Sequence, residues 1–197
     1  FLLVGEEREG DLMPMFRQAL LKMGHEVICF DHGVITMRMA QSLVWRIIYK
    51  ISRFPMTLAV SHAFRDFIRR LPSGSVDVTL VLQQMYFMPH VINELKARTQ
   101  GKLFTWQTGD YRSPTLSSKW AVDSIPLYDC IFSHGAFDVD FSLHAGAKRA
   151  ERLPLGCNPS YLMPVKEVDD YSIDVVFVGH WRRERQEFLE KLVADGF

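Results

Sequence analysis

The chain has 197 residues, of which 48% are apolar and 23% charged, a composition typical of a globular protein with a buried core. Lysine plus arginine and aspartate plus glutamate each total 23, so the net charge is zero and nothing favours nucleic acid as a partner. No apolar run approaches the roughly 18 residues of a membrane span, and the N-terminus lacks the basic start and cleavage site of a signal peptide.

The three cysteines, Cys29, Cys130 and Cys157, are odd in number and lack the spacing of metal ligands. We interpret them as buried thiols in a reducing compartment, so we expect a cytoplasmic protein without a bound metal. The chain begins inside a predicted strand, without an initiator methionine, and stops just after a predicted helix. We therefore expect a fragment of a longer protein.

Short apolar runs alternate with helical patterns along the chain. Six runs predict strands, at residues 1–4, 26–30, 76–82, 102–106, 128–132 and 173–178. Nearly continuous apolar runs are typical of parallel sheets covered on both faces. Apolar stripes at helical spacing lie between them, at residues 12–23, 40–51, 64–71 and 88–95, with Asp11 and Gly24 as end signals of the first. The alternation predicts an α/β fold with a Rossmann-like, doubly wound parallel sheet.

The alternation breaks after the fifth predicted strand. Pro154, Pro159 and Pro164 fall close together and precede a charged stretch, which is typical of an extended linker. We predict one Rossmann-like domain over residues 1–155, a linker over residues 156–171 and the start of a second domain over residues 172–197.

The segment after the first strand is a candidate binding loop, because ligands of open α/β sheets bind beyond the carboxyl ends of the strands. Gly5, Glu6 and Arg8 lie there, in a stretch that matches neither the dinucleotide fingerprint nor the phosphate-binding loop. No nucleotide site of those two kinds is expected. The loop is either a plain strand-to-helix turn or the edge of a cleft that holds an acceptor.

Two further strand ends carry candidate catalytic groups. Asp110 follows the fourth strand, and its carboxylate either accepts a proton from an acceptor hydroxyl or caps the next turn. Tyr111 and Arg112 follow it as candidate acceptor contacts. His134 follows the fifth strand, where it is a ligand or base, or a structural or solvated histidine.

Asp138 and Asp140 form an Asp-x-Asp pair a few residues further on. Two carboxylates do not make a metal site without converging oxygen ligands, so we expect a solvated helix face and no metal.

The last candidate site lies where the sixth predicted strand meets a helix. Gly179, His180, Arg182, Arg183 and Arg185 fall at this junction. Helix N-termini bind phosphate through free amide groups, and arginines add bidentate contacts, so the cluster is a candidate diphosphate site. The alternative is an exposed charged helix whose arginines pair with nearby glutamates.

Three stretches resemble one protein family. Residues 152–159 (RLPLGCNP) resemble the segment that ends the first domain of GT-B glycosyltransferases, and residues 174–179 (DVVFVG) resemble the start of the second domain. Residues 106–112 (WQTGDYR) resemble a stretch after a middle strand of the spore maturation protein CgeB-like group. Cys157 and Asn158 depart from that pattern, since a small apolar residue and aspartate are usual there.

The resemblance implies a bacterial glycosyltransferase that moves a sugar from a nucleotide-sugar to an unknown acceptor, in a cleft between two Rossmann-like domains and without a metal or other cofactor. The first domain would hold the acceptor and supply a base if the reaction inverts the sugar. The donor-side residues of the missing second domain cannot be assigned to this chain. The alternative is a non-catalytic Rossmann-like binding or regulatory module; an oxidoreductase is disfavoured by the absent glycine fingerprint.

Residues 38–53 combine an apolar stripe with four basic residues and no acidic one. Such a segment either packs on the sheet as an ordinary helix or lies in a bilayer interface with its apolar side down. Exposure of Trp45 or of several isoleucines distinguishes these two alternatives. A peripheral membrane contact through this segment is therefore one expectation.

Overall fold

The structure is a computed structural model that describes residues 1–8, 10–82, 84–113, 117–156, 176–179 and 181–196. The chain divides into two compact units, Phe1–Asn158 and Pro159–Phe197. The first unit holds the sheet. The described part of the second holds one helix, α8 (Arg183–Ala194).

Six strands form the sheet of the first unit. They are β1 (Leu2–Gly5), β2 (Ile28–Asp31), β3 (Val78–Leu82), β4 (Lys102–Gln107), β5 (Cys130–Ser133) and β6 (Ala150–Arg152). Their order in the sheet is β2-β1-β3-β4-β5-β6, and every neighbouring pair is parallel.

Helices connect the strands. They are α1 (Leu12–Lys22), α2 (Gly33–Gln41), α3 (Leu43–Ile51), α4 (Phe54–Arg70), α5 (Pro89–Thr99), α6 (Lys119–Asp123) and α7 (Ala136–His144), with a short 3₁₀ turn at Ile125–Leu127. Because parallel neighbours need crossover connections, each helix or group of helices returns the chain to the start of the next strand.

Successive residues of β1 pack into two different hydrophobic cores, one on each face of the sheet. Leu2 and Val4 belong to a large cluster that includes Phe64 of α4 and Ile92 of α5. Leu3 belongs to a smaller cluster built with residues of α1, β3 and β4. Side chains that alternate along a strand point to opposite faces, so helices cover both faces of the sheet. The predicted Rossmann-like, doubly wound α/β fold is confirmed.

The structure differs from the sequence predictions at three places. β6 was not predicted, because an Ala-Glu-Arg edge strand has no apolar run to reveal it. The stripe at residues 40–51 belongs to two helices rather than one, since the backbone of Ser42 is extended between α2 and α3. Of the predicted strand at residues 173–178, only residues 176–178 are described, and they are not in a strand. Of the predicted linker, only Gly156 lies within the described residues.

We predict that Phe64→Ala destabilises the fold by about 3–5 kcal/mol, because the change leaves a cavity in a packed aromatic cluster. The ring of Phe64 is fully buried and lies 4.6 Å from that of Phe30 and 4.9 Å from that of Phe87, between centroids. Urea unfolding measures the loss. Phe137→Ala is the matched control, because that side chain is 77% exposed. Equal losses for the two variants would contradict the assignment of Phe64 to the core.

Candidate functional site

The strand order reverses between β1 and β3, so the crevice beyond their carboxyl ends is the expected ligand site of the sheet. Glu6 follows β1 directly, and His32 follows β2, which pairs with β1 in parallel. A cavity of about 40 Å³ opens here, and its lining residues are Glu6, Asp11, Leu12, Met13, His32 and Leu82. We refer to it as the switch-point cavity.

A shared carboxylate joins the two loops beside this cavity. Asp31 Oδ1 accepts hydrogen bonds from the backbone amides of Gly33, at 2.7 Å, and Glu7, at 3.1 Å. A Cβ atom on residue 33 would lie 2.9 Å from Asp31 Oδ1 and 3.3 Å from Glu6 Cβ. Glycine at this position therefore lets the start of α2 approach the loop that carries Glu6.

Glu6 is a half-buried carboxylate in that loop. Its Oε2 lies 3.4 Å from a guanidinium nitrogen of Arg8, and its Oε1 accepts a 3.4 Å hydrogen bond from the Thr36 hydroxyl. Burial raises the pKa of Glu6, and the nearby charge of Arg8 opposes this only in part. The carboxylate is therefore a stronger base than an ordinary surface glutamate.

His32 lies in the wall of the cavity and is 2% exposed. The rings of Tyr86 and Phe87 meet it edge-on at centroid distances of 5.7 and 5.6 Å. Burial lowers the pKa of His32 to about 4, so the imidazole is uncharged at neutral pH. The 3.7 Å approach of His32 Nδ1 to Glu6 Oε1 is then not an ion pair.

Both ring nitrogens of His32 lack a hydrogen-bond partner within the described residues. Buried polar atoms are seldom left unpaired, and a cavity of about 40 Å³ admits roughly one water molecule or one ligand hydroxyl. An uncharged imidazole can donate to or accept from a hydroxyl, while the Glu6 carboxylate can only accept. The arrangement suits an R–OH group whose proton is shared with Glu6.

Asp110, a predicted catalytic residue, lies on the turn after β4 and is paired with its neighbour. Its two oxygens accept from Arg112 Nε at 2.9 Å and Arg112 Nη2 at 3.0 Å, and Oδ1 also accepts from the Arg112 backbone amide at 2.8 Å. These contacts lower the pKa of Asp110, which makes it a weaker base than Glu6. Since β3 separates β1 from β4, about 10 Å of sheet lies between the ends that carry Glu6 and Asp110.

Tyr111, predicted as an acceptor contact, is buried. Its hydroxyl accepts a 2.8 Å hydrogen bond from Gln84 Nε2, and its ring stacks on Phe141 at 5.7 Å between centroids. The side chain is therefore part of the core, and Tyr111 also borders an open hollow together with Arg112.

His134, the second predicted catalytic residue, follows β5, which neighbours β4, so it shares the carboxyl edge with Asp110. Its backbone oxygen accepts a 3.3 Å hydrogen bond from Arg152 Nε. Asp138, expected on a solvated face, is instead buried at the start of α7, where Oδ1 accepts from the Tyr111 amide at 3.3 Å. Tying this turn to α7 removes Asp138 from solvent.

The second unit carries the predicted phosphate-binding arginines. Arg182 is the residue before α8, and Arg183 Nε donates to Glu187 Oε1 at 2.9 Å. The guanidinium of Arg185 lies 5.7 Å from the centroid of the Phe177 ring. An open hollow of about 500 Å³ within this unit is bordered by Phe177, Gly179, Trp181, Arg182, Arg185, Gln186, Leu189, Glu190 and Val193. His180 lies outside the described residues.

Sequence reasoning missed His32 and Tyr86. His32 comes two residues after the predicted strand at residues 26–30, so the strand-end rule that selected Glu6, Asp110 and His134 would have selected it as well. The ring contact that buries His32 joins residues 54 positions apart in the chain, and no local pattern indicates it.

Comparisons with protein families, with curated proteins and with solved structures found no match to this chain. Within the described residues no group of three or more potential metal ligands comes together, and no helix has the length and apolarity needed to cross a bilayer.

We predict that the pH dependence of stability reports the burial of His32. Its pKa is about 4 in the fold and near 6.5 when unfolded, so the unfolded chain binds the extra proton between those values. The contribution of His32 is fully present above about pH 6.5 and falls by about 3 kcal/mol as the pH drops toward 4. The raised pKa of Glu6 changes the stability with pH in the opposite direction. The contribution of His32 is therefore obtained as the difference in pH dependence between the wild type and His32→Gln.

Urea unfolding at pH 7.5 and pH 4.5 gives this difference, and His62→Gln, whose histidine is 75% exposed, controls for the substitution itself. NMR titration of the His32 Cε1 proton measures the pKa directly. A midpoint near 6.5 would show that the imidazole is solvated.

Proposed function

We propose that this chain contributes the acceptor-binding domain of a GT-B type glycosyltransferase, which transfers a sugar from a nucleotide-sugar to a hydroxyl group. The proximity of Glu6 and His32, 3.7 Å apart at the switch point of a parallel sheet, is the observation that carries the proposal. It supports a hydroxyl-binding site with a base, and the motif resemblance of the sequence supplies the reaction class.

In the proposed reaction, the acceptor hydroxyl lies in the switch-point cavity against Glu6 and His32. Its oxygen forms a bond to the anomeric carbon of the donor while the bond from that carbon to the diphosphate oxygen breaks. Glu6 takes the hydroxyl proton, and the nucleoside diphosphate leaves with the electron pair. A single displacement of this kind inverts the anomeric carbon, so the configuration of the product is a further test.

Arg8 and His32 have supporting roles in this scheme. Burial raises the pKa of Glu6, and Arg8, 3.4 Å away, opposes that shift in part by favouring the ionised carboxylate. His32 holds the acceptor oxygen through a neutral hydrogen bond and adds no charge that would weaken the base. Within the second unit, Arg182, Arg183 and Arg185 stay candidate ligands for a diphosphate.

We predict that Glu6→Gln lowers kcat about 10²–10⁴-fold in the protein that joins this chain to a complete donor-binding domain, because the amide cannot accept the proton. Glu7→Gln is the matched control, since Glu7 is a neighbouring carboxylate that pairs with Arg17 at 2.6 Å, away from the cavity. Asp110→Asn tests the other carboxylate. A large loss for Asp110→Asn with none for Glu6→Gln would transfer the base role to Asp110.

We further predict that the 197-residue chain binds an acceptor but gives no transfer above background. Charge stabilisation of the leaving diphosphate needs a preorganised donor site, and the described part of the second unit offers a single helix for it. Saturation-transfer NMR with a panel of glycosides measures binding, and release of nucleoside diphosphate measures transfer. Binding of free nucleotides without any hydroxylated acceptor would favour a non-catalytic binding module.

A further inference from the structure

Helix α3 exposes an apolar stripe that its own domain leaves uncovered. Leu43, Val44, Ile47 and Ile51 are 68%, 64%, 53% and 82% exposed, and no residue of α3 is buried. We refer to these four residues as the α3 stripe. Phe54 and Leu58, in the first turns of α4, are exposed as well.

The stripe lies on the side of α3 that faces away from the domain. Tyr49 marks the inward side, because its hydroxyl lies 3.4 Å from the hydroxyl of Tyr86 and its ring lies under the guanidinium of Arg53. At about 100° per residue, the mean direction of the α3 stripe is about 180° from that of Tyr49. Contacts to the domain therefore orient the apolar side outward.

The charge around the stripe has one sign. From residue 32 to residue 65 the sequence contains no aspartate or glutamate. Arg46 and Lys50 lie beside the stripe on α3 and are exposed, and Arg38 is exposed on α2. None of these three side chains forms an ion pair with any described residue.

We propose that α3 docks this protein onto an anionic lipid surface. The stripe enters the boundary between headgroups and acyl chains, and Arg46 and Lys50 contact the anionic headgroups. At nine residues α3 is about 14 Å long, so it lies in the plane of the interface rather than across the bilayer. Because residues 32–65 contain no acidic side chain to repel anionic headgroups, we expect binding to an anionic surface in preference to a neutral one.

Docking would place the switch-point cavity beside the membrane. The inward side of α3 contacts Tyr86, whose ring in turn contacts His32 at 5.7 Å between centroids. An acceptor with a lipid anchor would then reach Glu6 without leaving the surface. The docking itself rests on α3 alone and holds whether or not the protein transfers sugars.

Co-sedimentation of the 197-residue chain with vesicles tests the proposal. Vesicles of phosphatidylcholine with about 30% phosphatidylglycerol should bind it, binding should weaken as salt rises from 0.05 to about 0.5 M, and pure phosphatidylcholine should bind far less. Ile47→Glu with Ile51→Glu should reduce the partition coefficient more than tenfold, and so should Arg46→Glu with Lys50→Glu. No binding to the anionic vesicles at low salt overturns the proposal.

Leu21→Glu with Lys22→Glu is the matched control, since it makes the same kinds of change on the exposed side of α1, where Leu21 is 50% exposed. An equal loss of binding in this control means that net charge alone drives binding, which overturns the role of α3. Sedimentation velocity without lipid gives the remaining outcome. One result would assign the stripe to a second copy of the chain instead of a lipid surface. In it, the wild-type chain is a dimer, Ile47→Glu with Ile51→Glu dissociates that dimer, and the same change leaves lipid binding intact.

Discussion

The pairing of β1 between β2 and β3 is the constraint from which the site follows. All four residues of β1 are buried, and the strand is in parallel register with both neighbours, so its backbone polar groups are used on either side. A parallel arrangement leaves the three carboxyl ends at one edge. Glu6 is the first residue after β1, and His32 is the first residue after β2. Because β1 and β2 pair in parallel, Glu6 Oε1 and His32 Nδ1 come within 3.7 Å of each other.

Burial then acts on the two groups with opposite sign. Loss of solvation penalises whichever form is charged, so it raises the pKa of Glu6 and lowers that of His32. One environment thereby yields a stronger base beside an uncharged hydrogen-bonding partner. Asp110 shows the reverse case, because hydrogen bonds from the side chain and backbone of Arg112 stabilise its charged form and lower its pKa. The two carboxylates differ by environment, although both follow strands of the same sheet.

The sequence predicts a larger part of the fold than of the candidate site. Five of the six strands are recognisable in the sequence as mainly apolar runs, as expected for strands covered on both faces of a sheet. β6 has no such run, and Asp138 carries no local sign that it will be buried against the Tyr111 amide. The position of His32 after a strand was visible, but its lowered pKa depends on Tyr86 and Phe87, which come from a distant loop. Long-range burial of single polar residues leaves no periodicity to detect.

The same limit applies to α3, with a different consequence. Hydrophobic periodicity shows that a helix has an apolar side, but it is silent on whether that side faces its own domain or something else. Here the polar Tyr49 contacts the domain while Ile47 and Ile51 face out. Burying a valine, leucine or isoleucine side chain stabilises a fold by roughly 1.5–3 kcal/mol, so a helix that exposes four such side chains forgoes that stabilisation. Turning α3 about its axis would bury the stripe but would remove Tyr49 from Tyr86 and turn the less exposed Trp45 outward. The observed orientation leaves the stripe exposed on this unit, and that exposure is the observation on which the proposed docking rests.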